Sequence, residues 1–451
     1  MASGMKKIIL IAGLIILVCA GVFAQTLSLE QARVLALANS RSLVQYNLSI
    51  KNSVLDEKSH IYTMLPSLST NYNASMNYLD RNWGFIENPA ETFNSGLNFS
   101  VTQKLFEGGK SFIQKAINEI ATESVRKEAL AEYFNVLDAV DNAYYAALEA
   151  AATLEAEESS LQSALTSLAI AEVRQENGII NRGDYLKIQA EKESRENSRN
   201  QARRNLALSM TKLKAVTGYG EKAELEHIDF SAYEGLIQIL ADISDEEADA
   251  LYDKFWKILA EANPSLARAA INNKRAEKNL SLAKRDFSPV LSATIFSADI
   301  GYSKANGLNT TGGGGISIRG SIPLDFWVIG NRIERSKNAR DSAALDYINA
   351  ETTLETDLQS ALLNAFAYAG SVLSSRRSLD YAEKHFEYIM ERYRLSQSSV
   401  SDVGEASSLL INNRNSHIKA QYGFLQSLSK LRSLGAIDDE EMLVKILIGN
   451  E

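Results

Sequence analysis

Few residues of this 451-residue chain could do chemistry, and they are badly placed for it. The single cysteine is Cys19, so the chain beyond it has neither thiol catalysis nor disulfides. The histidines His60, His227, His385 and His417 are scattered, without metal-ligand spacing. Glycines 312–315 are not followed by Lys-Ser/Thr, so they read as a surface loop rather than a phosphate cradle. Carboxylates abound on helical stretches, yet no Ser or His stands beside them as a catalytic unit, and solvated faces are the better reading. The sequence therefore predicts no enzyme, no cofactor and no metal. What remains is Asp184, Asp402 and Glu405, each just past a short break between helical stretches. Their ordinary reading is capping, with Asp184 as an N-cap and Asp402-Val403-Gly404-Glu405 as a capping box. The alternative adds a role in an acidic aperture, and the two roles are compatible.

The surrounding composition narrows the class. Lys and Arg total 47 against 56 Asp and Glu, which argues against a nucleic-acid binder. A hydrophobic content of 45% is ample for a folded core. Lys6 and Lys7 precede an unbroken apolar or small run from Ile8 to Phe23, and Val22-Phe23-Ala24 suits signal peptidase. Residues 1–24 thus read as a signal peptide, with Gln25 as the mature start and two positive charges removed. A single-span anchor is the alternative, although the run is short for a bilayer. Lipoprotein cleavage before Cys19 would want a small residue where Val18 stands.

The elements that carry these residues come in two similar halves. The five prolines leave residues 90–263 and 324–451 without one, which predicts long helices. Leu43 lies 23 residues before Pro66, and Leu266 lies 23 before Pro289. Each Pro ends a helical stretch, about Leu29–Met64 and Pro264–Phe287, and introduces strand character. From Ser67 to Tyr78, Leu68, Thr70, Tyr72, Ala74, Met76 and Tyr78 alternate with Ser and Asn, long enough for a tilted membrane strand. Phe93, Leu97, Phe99 and Val101 alternate likewise, and the polar link Asp80–Thr92 makes the pair a hairpin. Val290–Tyr302 and Gly315–Ile322 repeat the plan, less cleanly near Asp299. Four strands cannot close a barrel alone, so they form a sheet or several chains share one barrel.

Each hairpin leads into a long helix, the first ending near Glu176 after ~100 Å. Leu130, Phe134, Leu137, Tyr144 and Leu148 follow heptad spacing there. Breaks at Asn177–Gly183 and Ser396–Ser401 separate these from further helices that end at Thr217-Gly218 and Leu434-Gly435. The expected organisation is a first repeat at 25–218 with a hairpin at 67–104, then an acidic insert at 219–262. A second repeat follows at 263–435 with a hairpin at 289–325, and a terminal segment at 436–451.

Along nearly the whole mature chain the sequence resembles the TolC-type outer membrane efflux proteins. Leu27-Ser28-Leu29-Glu30-Gln31-Ala32, Gln103-Lys104-Leu105-Phe106-Glu107-Gly108-Gly109 and Leu213-Lys214-Ala215-Val216-Thr217-Gly218 carry the likeness, with Ser433-Leu434-Gly435 answering in the second half. The resemblance implies a mainly α fold with membrane β: long antiparallel helices form a periplasmic α-barrel with an equatorial collar. It further implies a homotrimer in which each chain gives four strands to one twelve-stranded barrel in outer membrane lipid. The implied function is passive conduction of small molecules or a secreted polypeptide. The implied partners are a periplasmic adaptor and an inner-membrane efflux pump or ABC transporter, with no nucleic acid. A coiled-coil scaffold or adhesin is the alternative; it would not need two matching hairpins. By resemblance the periplasmic entrance lies at the helix breaks, at Gly178 and Asp184 in the first half and Tyr393, Ser396, Asp402 and Glu405 in the second. Ser396 stands where a Gly is usual and Ser398 where an Arg is common, so Arg182 is the candidate replacement for the lock.

Overall fold

Period-two alternation survives in the sheet because every register shift is absorbed by a bulge. The computed structural model describes residues 26–80, 82–219, 224–303, 307–311 and 313–448, so the signal peptide with Cys19 lies outside the described residues, as do Lys304 and Gly312. The chain is mainly helical and falls into two compact units. One takes its described residues from Met1–Ser40, Tyr133–Phe255 and Leu358–Glu451, the other from Arg41–Glu132 and Trp256–Asp357. Two helices, α3 (Lys110–Glu176) and α8 (Phe326–Arg394), run unbroken for 67 and 69 residues and contribute to both.

The second of these units holds the sheet, with α2 (Arg41–Tyr62) and α7 (Pro264–Lys284). Its strands are β1 (Ser67–Ser75), β2 (Asn94–Phe106), β3 (Val290–Phe296), β4 (Asp299–Ser303), β5 (Gly307–Thr311) and β6 (Gly315–Ser321). All pairings are antiparallel. β2 pairs β1 on one side and both β3 and β4 on the other, while β6 pairs β3 and β5 pairs β4. The expected second hairpin of two strands is thus four segments laid along two lines. Ser297-Ala298 interrupts the first line, and β1 stops at Ser75, short of Met76 and Tyr78.

The interruption keeps the faces pure. Cross-strand partners share a face, so the row Leu68–Val101–Ile295–Ile316 is apolar. Past the break the row Tyr72–Leu97–Ile300 continues that face, although Ile295 is odd-numbered and Ile300 even. One extra residue at a bulge inverts the parity and saves the face. The opposite face carries Ser67, Ser69, Asn71 and Asn73 beside Thr102, Ser100, Asn98 and Gly96. Its hydroxyls meet in pairs, Ser69 Oγ with Ser100 Oγ at 2.8 Å and Thr102 Oγ1 with Thr294 Oγ1 at 3.0 Å. Val290 and Phe296 are its apolar members, and the Phe296 ring packs over Gly315.

The Phe106-Glu107-Gly108-Gly109 turn into α3 needs its glycines, which sit at φ of 68° and 76°. A Cβ on Gly108 would also collide with the Ser288 side chain. Just beyond, Asp286 accepts from Lys110 at 2.8 Å and Arg332 at 2.5 Å, tying the starts of α3 and α8 to one segment.

In the other unit lie α1 (Leu29–Asn39), α4 (Arg182–Thr217), α5 (Glu234–Ala241), α9 (Val400–Leu434) and α10 (Glu440–Ile448), while α6 (Asp245–Ala262) crosses its boundary. The stretch expected as one helix from Leu29 to Met64 is broken at Ser40, whose ψ of 112° is extended. Asn39 Nδ2 caps the Thr217 carbonyl at 2.9 Å, and Gly218 closes α4 at φ 71°. Of the heptad residues, Phe134, Leu137, Tyr144 and Leu148 are buried while Leu130 is exposed. The Tyr144 hydroxyl donates to the carbonyls of Leu27 and Glu226, which flank a short parallel bridge between Leu27 and Leu225.

Candidate functional site at the two helix breaks

Both breaks leave their helix by the same backbone route. After α3 the N–H of Ile179 donates to the Arg174 carbonyl at 2.8 Å and that of Gly178 to the Gln175 carbonyl at 2.9 Å. After α8 the N–H of Gln397 donates to the Arg392 carbonyl at 2.8 Å and that of Ser396 to the Tyr393 carbonyl at 3.0 Å. These are paired Schellman exits, which require a left-handed residue: Gly178 at φ 72° and Ser396 at φ 62°.

Three residues later each chain segment re-enters a helix through a side-chain cap. Asn181, not Asp184, is the N-cap of α4: its Oδ1 accepts from Asp184 N at 2.8 Å and its Nδ2 donates to Asp184 Oδ2 at 2.8 Å. The capping box of α9 likewise falls one turn earlier than Asp402–Glu405. Ser399 Oγ accepts from Asp402 N at 3.2 Å, and Asp402 Oδ2 accepts from Ser399 N at 2.8 Å. Hydrogen bonds from the Ser399 backbone and hydroxyl hold the Asp402 carboxyl below its ordinary value. Glu405 is exposed and takes no part in the cap.

Beneath the breaks, one apolar cluster draws on four helices: Ala171, Ile188, Ile389, Met390, Tyr393, Val400, Val403 and Ala406. Tyr393 is wholly buried, and burial raises its phenol above the usual range, with Arg174 opposing. The Arg174 guanidinium lies 4.6 Å from the Tyr393 ring centroid, and its Nη1 donates to the Tyr393 carbonyl at 3.4 Å. The Tyr393 hydroxyl has no hydrogen-bond partner among the described residues. Arg182, the expected replacement lock, is exposed and joined to no acidic side chain among the described residues, while Ser398 is half-buried. The residue on Tyr393 is therefore Arg174, which nothing at the sequence level singled out. A cleft of about 250 Å³ opens beside the cluster, lined by Ala164, Ile188, Phe386 and Val403 with Lys187 and Glu191.

The chemistry of this site is mechanical. Among the described residues no three metal-ligating side chains converge. His417 rests against Ser375 Oγ at 3.1 Å, and burial lowers its pKa. A second polar centre also escaped the sequence reading. Fully buried Asp141 accepts from Arg33 Nε at 2.7 Å, Arg432 Nη2 at 2.6 Å and Ser429 Oγ at 2.8 Å. Its partners come from α1 and α9, so it fastens α3 between them, and losing one cation would leave a buried charge exposed to its full desolvation cost.

A family model described as outer membrane efflux protein matches residues 24–219 and 257–436. No curated protein sequence matches the chain significantly. Among solved structures, the CmeC outer membrane channel of Campylobacter jejuni is 15% identical, with a TM-score of 0.73 over 94% of this chain and 90% of that one. The outer membrane protein VceC of Vibrio cholerae is 16% identical, with a TM-score of 0.73 over 90% of this chain and 96% of that one. The open state of the MtrE outer membrane channel of Neisseria gonorrhoeae is 16% identical, with a TM-score of 0.71 over 90% and 88%. With well over half its length matched, the chain belongs to the outer membrane efflux protein family, as an outer-membrane channel protein with a long helical periplasmic extension and not an enzyme.

Proposed function

We propose that three copies of this chain close one twelve-stranded barrel and form a tunnel that conducts cargo passively to the exterior. The observation that carries the reading is the sheet itself. Its outermost lines, β1 on one side and β5 with β6 on the other, have no partner on their outer edges among the described residues. Its apolar face is broadly exposed, Leu68 at 75%, Ile316 at 73% and Ile318 at 69%. Open edges and an exposed apolar face are costly in water, whereas closure among chains within lipid satisfies both. The directions agree: with all pairings antiparallel, β6 of one chain can meet β1 of the next antiparallel, and twelve is an even number.

In this reading the helix breaks form the periplasmic mouth. Threefold symmetry would gather Asp184, Asp402 and Glu405 into a ring that favours cations, while Tyr393 and Arg174 hold each chain's helices together below it. A periplasmic adaptor would dock there, and an inner-membrane efflux pump or ABC transporter would supply the drive. The organisation into repeats at 25–218 and 263–435, an insert at 219–262 and a terminal segment at 436–451 is part of the same proposal. The test is cross-linking in the native membrane. Cysteine pairs with one member in β1 (Ser69→Cys or Asn71→Cys) and one in β6 (Ser317→Cys or Ser321→Cys) should yield covalent trimers. Cross-links confined within single chains, or none at all, would overturn the shared barrel.

A further inference from the structure

The polar face of the sheet carries only three charges among its described residues, and they are sorted by sign. Asp299 lies toward the links between strands, where Asn98 Nδ2 donates to its Oδ1 at 2.8 Å. Lys104 and Arg319 lie toward the helices, in one row across three strands: Lys104 opposite Ser292, and Ser292 opposite Arg319. Strand spacing puts their Cα atoms ~10 Å apart, and strand rise puts Lys104 roughly 20 Å from Asn98. Both side chains are exposed. Lys104 Nζ has Glu107 at 3.4 Å, whereas Arg319 has no acidic partner among the described residues. The remainder of this face is Ser, Thr, Asn and Gly with Val290 and Phe296.

We propose that Lys104 and Arg319 form a ring that recognises anionic groups inside the barrel, so that the cargo it favours carries a carboxylate, sulfonate or phosphate. The proposal rests on the trimeric reading, in which three chains contribute six cations at one level of a polar wall whose other described charge is Asp299. The guanidinium fork of Arg319 matches a planar carboxylate or phosphate bidentately, and Lys104 adds an unshaped charge beside it. Such a ring raises the local concentration of anions. The hydroxyls and amides beyond bind weakly, and Asp299 repels, so an anion is held without being trapped.

The test uses the full-length protein in planar bilayers, with citrate added to each side in turn as the multivalent probe. Citrate should block the current reversibly and more strongly from the side of the strand links. Lys104→Ser with Arg319→Ser should weaken that block by about tenfold or more, since the removed charges are the cations of the wall among its described residues. Ser292→Ala, in the same row but uncharged, should keep it, and Arg319→Lys, which keeps the charge without the fork, should weaken it less than the double variant. Citrate block that is absent in the wild type, or undiminished in the double variant, overturns the inference. If the β1–β6 cross-links form all the same, the barrel stands and only the anion ring falls.

Discussion

The break at 177–181 and the break at 395–399 follow one backbone path, offset by 218 residues, and differ in what each is built from. Arg174 and Arg392 supply equivalent carbonyls, Gly178 and Ser396 the left-handed turn, Asn181 and Ser399 the cap, and Asp184 and Asp402 its second half. Yet the first has Gln175 where the second has a wholly buried Tyr393. It also turns on a glycine where the second forces a serine into the same φ. The geometry is set by hydrogen bonds that any residue can make. Rigidity is set by side chains, and those are concentrated at the second break.

The largest test of that asymmetry removes the anchor. Tyr393→Ala should cost about 4 kcal/mol, as expected for an aromatic truncated in a packed site. Gln175→Ala, at the equivalent position, should cost under about 0.5 kcal/mol. Thermal unfolding in detergent measures both, and equal losses would mean the breaks share their load. Because the Tyr393 hydroxyl has no partner among the described residues, Tyr393→Phe should be close to neutral in stability. A rise in resting conductance for Tyr393→Phe without loss of stability would instead reveal a hydroxyl contact made between chains.

Next in size are the arginines. Arg174→Ala loses both the stack on Tyr393 and the bond to its carbonyl, about 1–2 kcal/mol. Arg392 lies farther from its ring, 5.7 Å over the half-exposed Tyr388, and its Nη2 reaches only the Gln397 carbonyl at 3.0 Å. Arg392→Ala should therefore cost roughly 0.5 kcal/mol. Reversal of that order would break the comparison. The glycine–serine exchange follows: Ser396→Gly should stabilise by about 1 kcal/mol and Gly178→Ser should destabilise by a similar amount. If Ser396→Gly is neutral, the hydroxyl makes a compensating contact.

How much of this was legible in the sequence follows from distance along the chain. Alternation from Ser67 to Ser75 is local, so the strand and its two faces could be read directly. At Ser297-Ala298 one added residue inverts the parity, and Asp299 looked like an imperfection when it is a correctly placed member of the polar face. The breaks are legible in the sequence, but the caps at Asn181 and Ser399 lie one turn before the carboxylates that the pattern favours. Asn181 and Ser399 are as good caps as Asp184 and Asp402, and only the preceding left-handed turn decides between them. Arg174 on Tyr393, and Arg33 and Arg432 on Asp141, join residues more than a hundred positions apart. In sequence each is one more charge on an amphipathic helix.

The smallest effect is the response of the second cap to acid. The Asp402 carboxyl is held below 3.8 by the backbone and hydroxyl of Ser399, so its folded value is depressed relative to the unfolded chain. A depressed carboxyl stabilises fully above the unfolded value, and the contribution is lost as pH falls through the folded one. Asp402→Asn should therefore be less stable than wild type near neutrality, and the two unfolding curves should converge as pH falls through the depressed folded value. Because the carboxylate is exposed, salt should shrink the difference. Unfolding midpoints taken from about pH 6 down to about pH 2 decide the matter. Two curves that stay parallel across that range would mean Asp402 contributes through shape and not through charge.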